Sequence, residues 1–284
     1  MPSTPSCWQT SRFRIDLSRP RVMGIVNVTP DSFSDGGRHA TPDAARAHCD
    51  QLVAEGADIL DIGGESTRPG SQRPDAQEEL ARVLPVVRHA VTLGVPVSVD
   101  TSEPRVMAAA LELGADILND VRALQEPGAL AVAAGHPTVG ICLMHMQGQP
   151  ATMQEAPAYE HDDVVTAVLR FLAQRRDAAV AAGVAVDRIV LDPGIGFGKT
   201  MAHNLALSVG QHAFGALGHP LLMGWSRKGT LGKLTGRPLE DRLVPSVAAA
   251  LAAVRQGASI VRVHDVAQTV DALKVWQALT APAG

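Results

Sequence analysis

Polar residues of wide chemical range stand directly behind short apolar runs. Asn27 closes the run 22–26, Asp100 and Thr101 follow 95–99, Asn119 and Asp120 follow 117–118, and Asp192 follows 189–191. His145 ends the run begun at 139, Ser226, Arg227 and Lys228 follow 221–223, and Arg262 and His264 belong to the end of 260–263. Behind 59–62 comes "GGESTRPG", with Glu65, Ser66, Thr67 and Arg68. These residues fall into two chemical sets. Asp100, Asn119 and Asp192 with Lys228 combine acceptors, an amide and one ammonium, which suits a planar heterocycle with an amidine-like donor edge and adjacent acceptors. Asn27, Thr67, Arg68, Arg262 and His264 contain few acids, and two guanidiniums beside hydroxyls and an imidazole suit a phosphate or diphosphate. The Asn27 oxygen, together with phosphate oxygens, fits Mg²⁺, which takes oxygen ligands and keeps waters. Plain alternatives exist residue by residue. Asp100 could cap the helix that "DTSEP" opens, and Asp192 could open a turn before Pro193. Their shared place behind consecutive apolar runs favours one ligand site.

The runs that carry these residues are too short for helices and rich in β-branched side chains. Continuous apolar character without alternation predicts strands buried on both faces. Between them, 75–93 puts Leu80, Val83, Leu84, Val87 and Val91 on one helical face, and 162–182 does the same with Val164, Val165, Val168, Leu169 and Leu172. Leu243, Val247, Leu251 and Val254 mark another such face. Thr41–Pro42 reads as an N-cap and first helical residue, and Ser102 precedes a helical stretch over 103–113. In "EGAD", "LGAD" and "QGAS" a Gly ends a helix just before a strand. Eight strands alternating with about as many helices predict a (β/α)8 TIM barrel, ahead of a doubly wound open sheet. Such a barrel gathers the polar strand ends on one face. Residues 1–20 precede the first strand, and the alternation over 12–17 predicts a small β-hairpin closing the barrel bottom. The whole chain, 1–284, reads as one domain.

The bulk numbers narrow the class. A chain of 284 residues that is 46% hydrophobic can build a large core, and a net charge of −4 offers no basic field for nucleic acid. Cys7, Cys49 and Cys142 are odd in number and far apart, which suits a reducing cytoplasm better than a disulfide scaffold. No apolar stretch approaches the roughly 20 residues of a membrane span. "GIGFGKT", 194–200, looks like a phosphate loop, but only three residues separate its first Gly from Gly-Lys-Thr, where that loop needs four. Backbone approach to a flat ligand explains these glycines better. Cys142 and His145 have no second Cys/His pair to complete a structural zinc site.

Taken in order, "MGIVNVTPDSFSDGG", "GADILDIGGESTRPG", "SVDTS", "LGADILNDV", "MHMQGQP", "LDPGIGFGKT", "WSRKG" and "RVHDV" resemble the signatures of the dihydropteroate synthases, from about Val22 to the end of the chain. The resemblance implies a barrel that joins 6-hydroxymethyl-7,8-dihydropterin diphosphate to p-aminobenzoate, with Mg²⁺ and release of diphosphate. It implies that Asp100, Asn119, Asp192 and Lys228 grip the pterin. Thr67, Arg68, Arg262 and His264 would hold the diphosphate, with Asn27 near the metal. Phe33, Arg68, Pro69, Phe197, Lys228 and Gly229 would shape the aminobenzoate pocket, which sulfonamides would also enter. Loops 29–38 and 63–73 would close over it, with Asp31 and Asp35 left without a role. A homodimer is implied as well. Asp100, Lys228, Arg262 and His264 carry the implied chemistry: they support diphosphate departure, a resonance-stabilised pterin cation and attack by the arylamine.

Two departures stand out. Ile195 occupies a position that is aromatic in the family pattern, and Gly229 follows "SRK" where many members carry a Ser that helps bind the aminobenzoate carboxylate. With Gly229 only a backbone N–H at a helix start remains for that role. Two other readings share the same pterin set. One is a pterin-binding paralogue without turnover. The other is a pterin-dependent methyltransferase, which needs neither "NVTPDSFSDGG" nor the Arg262/His264 pair.

Overall fold

A computed structural model of the chain describes residues 5–29, 42–66, 71 and 73–280. Phe33, Thr67, Arg68 and Pro69, with Asp31 and Asp35, lie outside the described residues. After an N-terminal hairpin of β1 (Cys7–Gln9) and β2 (Arg14–Asp16), eight strands follow: β3 (Arg21–Asn27), β4 (Ile59–Gly63), β5 (Val97–Asp100), β6 (Ile117–Asp120), β7 (Gly140–Met144), β8 (Ile189–Asp192), β9 (Leu222–Met223) and β10 (Ile260–Val263). They form one parallel sheet in the order β8-β7-β6-β5-β4-β3-β10-β9. The two ends meet through a parallel bridge between Leu191 and Leu221 and a 3.0 Å bond from Leu191 N to Pro220 O, which closes the TIM barrel.

The strands form because their residues are apolar on both faces, as a barrel wall between a core and a helix layer requires. Every residue of β4 and β7 is buried. Outside the wall lie α1 (Pro42–Ala54), α2 (Ala76–Ala90), α3 (Pro104–Glu112), α4 (Ala129–Gly135), α5 (Val164–Ala181), α6 (Met201–Val209), α7 (Gly229–Thr235), α8 (Leu243–Arg255) and α9 (Val266–Thr280). Asp75 caps α2 by accepting from Glu78 N at 2.8 Å. The helix stops before Gly56, Gly114 and Gly257 have φ of +95°, +96° and +95°, the left-handed backbone that glycine adopts freely. Asp100 caps nothing: the cap of α3 is Glu103.

Trp8 and Ile15 of the hairpin pack on Met23, Ile59, Ile117, Cys142, Val190, Leu222 and Ile260, forming an apolar floor inside the barrel. The hairpin reaches further toward the N-terminus than the 12–17 alternation indicates, because its first strand is Cys7–Gln9. This floor sets the site. Strand side chains alternate, so the residue two positions beyond each floor residue shares its inward face, one layer higher. From Ile59, Ile117, Val190 and Ile260 that step leads to Asp61, Asn119, Asp192 and Arg262. The barrel interior therefore changes from apolar to charged within one strand repeat. Among the described residues, no helix is long and apolar enough to cross a membrane.

Candidate active site

A cavity of about 920 Å³ opens at the C-terminal ends of the strands, the face on which barrel enzymes build their sites. Asn27, Asp100, Asn119, Asp192, Phe197, Lys228, Gly229, Arg262 and His264 all line it. Thr101, Asp120 and His145, though also behind strands, serve the fold. Thr101 Oγ1 accepts from Glu103 N at 3.1 Å. Asp120 holds a turn by accepting from Arg122 N at 2.8 Å and Leu124 N at 2.7 Å, and it also bonds the Ser102 hydroxyl.

Behind the cavity lining lies a residue that strand-end reasoning missed. Asp61 is fully buried, and its Oδ2 accepts from Arg262 Nε at 2.6 Å and from Asn119 Nδ2 at 3.1 Å. The signal was present in "ILDIG": a carboxylate inside an otherwise apolar strand needs a partner or a task. Arg262 also donates from Nη2 to Asp100 Oδ2 at 2.7 Å. This corrects the division into two sets. Arg262 was grouped with an anion set poor in acids, yet it bridges two carboxylates. The reason is periodicity: two residues beyond Ile260, it lies in the layer of Asp61 and Asn119, where a half-buried guanidinium pairs with carboxylates. His264, two residues higher, does stand near the mouth, its backbone N–H 3.1 Å and its Nδ1 3.0 Å from Ser226 Oγ.

Burial governs the electrostatics. Loss of solvent pushes the Asp192 carboxyl up to about 6, against the bond from Gly194 N at 2.7 Å and the charges of Lys228, Arg262 and Lys199. Asp100 is also driven up by burial, opposed by Arg262 and reinforced by Asp61, Glu65 and Asp120. Burial and then Arg262 bring Lys228 down to about 8, and its ammonium sits 3.9 Å from the centre of the Phe197 ring. Every one of these groups would gain from a ligand that supplies donors to the acids and an acceptor to Lys228.

The loop after β4 enters the cavity through Glu65 and Ser66. Glu65 is held by Arg122 through bonds of 3.1 and 3.2 Å, and Arg73, beyond the loop, pairs with Glu126 at 3.1 Å and Glu103 at 3.6 Å. Under the same loop, Gly64 packs so closely that a Cβ would meet Val83 Cγ2 at 2.6 Å and Glu79 Cγ at 3.1 Å. Glu79, on α2, is fully buried with neither carboxylate oxygen hydrogen-bonded, and burial raises it to about 7, with the Thr101 hydroxyl offsetting only part of the rise.

Lys199 was also absent from the sequence-derived site. Only 2% exposed, it borders the cavity and turns its ammonium to His145 Nδ1 at 2.8 Å and Phe197 O at 3.0 Å. Its partners are atoms of its own loop and of the segment after β7. Gly229 is the first residue of α7, where a Cβ would meet nothing within 4 Å. The Ile195 side chain, 1% exposed, belongs to the apolar core.

Comparison with known proteins places this geometry. The family model described as pterin binding enzyme matches residues 23–264. The dihydropteroate synthase of Neisseria meningitidis serogroup B is 54% identical over 280 residues, covering 96% of this chain and 97% of that protein. The Yersinia pestis dihydropteroate synthase, solved with a sulfonamide drug, superposes with a TM-score of 0.91 at 48% identity, covering 96% of this chain and 98% of that one. The Xanthomonas albilineans enzyme in complex with 7,8-dihydropteroate gives a TM-score of 0.86 at 51% identity, over 95% and 97% of the two chains. By family match, identity and fold together, this chain belongs to the pterin-binding enzyme family and, within it, to the dihydropteroate synthases, which are transferases.

Proposed function

We propose that the chain condenses 6-hydroxymethyl-7,8-dihydropterin diphosphate with p-aminobenzoate, giving 7,8-dihydropteroate and diphosphate. The observation that carries this reading is that Asp100, Asn119, Asp192, Lys228 and Arg262 line one cavity, with the fully buried Asp61 held behind Asn119 and Arg262. Under-solvated carboxylates match the donor edge of a pterin, and Lys228 matches its acceptors. Asp100, Asn119, Asp192 and Lys228 would hold the ring. His264 and Asn27, near the mouth, would meet the diphosphate, joined by Thr67 and Arg68. Arg262 would serve both groups: once ring donors satisfy Asp100, the Nη2 that Asp100 now occupies is free for phosphate oxygen. Phe197, Lys228 and Gly229, with Phe33, Arg68 and Pro69, would enclose p-aminobenzoate.

In the reaction the bond from the exocyclic methylene carbon to the bridging oxygen breaks, and diphosphate leaves with the electron pair. The pterin cation left behind lies near the Asp100 and Asp192 carboxylates, which stabilise it electrostatically. The arylamine nitrogen then bonds to the methylene carbon and releases a proton to solvent. An arylamine is already a nucleophile, so positioning and charge stabilisation suffice. Among the described residues no group of three His, Cys, Asp or Glu side chains could hold a metal. The half-buried Asn27 at the end of β3 offers one amide oxygen, which fits an ion that arrives with the diphosphate rather than one held by the protein alone. Mg²⁺ bound there would neutralise charge on the leaving diphosphate.

Purified protein given Mg²⁺, the pterin diphosphate and labelled p-aminobenzoate should produce labelled dihydropteroate. Folded protein that binds the pterin diphosphate without turnover would refute the assignment. We further propose a homodimer, supported by exposed Met201, Leu205 and Val209 on α6, Leu234 on α7 and Val244 on α8. A monomer mass by light scattering at micromolar concentration would exclude it. A cytoplasmic location is supported by free Cys7, Cys49 and Cys142.

A further inference from the structure

Residues 193–199, between β8 and α6, form a loop in which four of the seven carbonyls accept hydrogen bonds. Gly194 O accepts from Phe197 N at 3.1 Å, Gly196 O from Gln154 Nε2 at 2.6 Å, Phe197 O from Lys199 Nζ at 3.0 Å and Gly198 O from Tyr159 Oη at 2.8 Å. Its amide at Gly196 donates to Asn204 Oδ1 at 2.8 Å. The loop also lies hard against the segment after β7. A Cβ on Gly194 would fall 1.9 Å from His145 O, and one on Gly198 2.3 Å from Gln147 O, while both glycines have positive φ. Only glycine permits that approach.

Lys199 ties the two segments together. Its ammonium has three donors and finds three acceptors: His145 Nδ1 at 2.8 Å, Phe197 O at 3.0 Å and His145 O at 3.4 Å. As an ammonium Lys199 only donates, which makes His145 Nδ1 the acceptor; burial lowers Lys199 to about 7, opposed by the charge of Asp192. Burial and then Lys199 drive the His145 imidazole down to about 2, which keeps it neutral and able to accept. The His145 ring is fixed in turn by an edge contact with Phe171 at 4.8 Å between centroids. The three bonds of Lys199 Nζ all go to protein atoms, of residues 145 and 197. Ile195, Gly196, Phe197 and Lys199 of the loop border the cavity, and Lys228 lies 3.9 Å from the centre of the Phe197 ring.

We propose that Lys199 is a positioning residue for the arylamine: by clamping the Phe197 carbonyl to His145 it holds the Phe197 ring and Lys228 in the stacked arrangement that forms one wall of the arylamine subsite. The proposal rests on the function proposed above, and it assigns Lys199 no contact with substrate and no proton transfer.

The test compares Lys199→Met, Phe197→Leu and the double variant in steady-state synthesis of dihydropteroate, with pterin diphosphate affinity measured by calorimetry. Lys199→Met should raise the KM for p-aminobenzoate about tenfold, the order of one lost charge-assisted hydrogen bond, with kcat and pterin affinity changed less than about threefold. In the Phe197→Leu background the same substitution should add little further to KM, because its route runs through Phe197. A fall in kcat at unchanged KM would make Lys199 a proton acceptor and overturn the proposal, as would full additivity with Phe197→Leu. Tyr159→Phe removes the neighbouring pin on Gly198 O and should raise the same KM by about threefold, the size of a neutral hydrogen bond. It decides the matter should Lys199→Met fail to fold, since an unchanged KM in Tyr159→Phe would refute loop anchoring. Amide exchange over 193–199 separates this proposal from the functional reading. Absence of dihydropteroate in the wild type refutes that reading and the arylamine role with it. Unchanged exchange in Lys199→Met refutes the clamp whatever the wild type catalyses.

Discussion

Glu79→Gln should stabilise the protein, and only above acidic pH. Glu79 is fully buried beneath the Gly64 loop, with no well-formed hydrogen bond to either oxygen and the Thr101 hydroxyl close enough to offset part of its burial. Burial lifts its carboxyl from 4.5 to about 7. A raised acid binds its proton more tightly folded than unfolded. The folded state therefore loses stability as pH climbs from the unfolded value of 4.5 through the folded value near 7. At about 1.36 kcal/mol per pH unit, the loss is about 3 kcal/mol once both states are ionised. Gln keeps the shape and carries no proton to lose. The variant should match the wild type near pH 4 and exceed it by up to about 3 kcal/mol at pH 8, or roughly 6–12 °C in Tm for a chain of this size. Urea unfolding of both proteins at pH 5, 6, 7 and 8, at constant ionic strength, measures the difference directly. Asp100, Asp192 and Lys228 titrate in both proteins and cancel in the comparison. A stability difference that stays constant with pH would refute the account of Glu79 as an acid whose burial is only partly offset.

Asp61→Asn should weaken pterin diphosphate binding by about tenfold to a hundredfold, since Arg262 and Asn119 lose a charged acceptor; calorimetry giving wild-type affinity would remove Asp61 from the site. The pH profile of kcat/KM should fall below about 6 as Asp192 takes a proton and above about 8 as the Lys228 ammonium loses one. A profile flat from pH 5 to 9 would contradict both roles. Gly229→Ser adds a hydroxyl in open space and should lower the p-aminobenzoate KM by about threefold, the worth of one hydrogen bond, without moving pterin affinity. A higher KM would place the arylamine elsewhere.

Much of the architecture was legible because local rules agree with the fold. Apolar β-branched runs predict strands, amphipathic stretches predict the helix layer, and Gly56, Gly114 and Gly257 end helices with the left-handed backbone that their context in the sequence indicates. Asn27, Asp100, Asn119, Asp192, Lys228 and His264 could be found without coordinates, because a barrel delivers polar strand ends to one face. Asp61 escaped because it sits inside a strand, where composition suggests core. Glu79 escaped because its helix pattern is amphipathic whether or not a carboxylate is buried with it.

What the sequence by itself determined is which residues end the strands and which chemistry those side chains can do. Only the tertiary structure decided who meets whom. Strand register and closure at Leu191–Leu221 bring Arg262 against Asp61 and Asp100, partners 201 and 162 residues away in the chain. The same packing brings Lys199 onto His145, 54 residues earlier in the chain. Local periodicity assigns a side chain to a face and a layer. Its partner across the barrel depends on register and on the desolvation that forces buried charges to pair, and both arise only when the barrel closes.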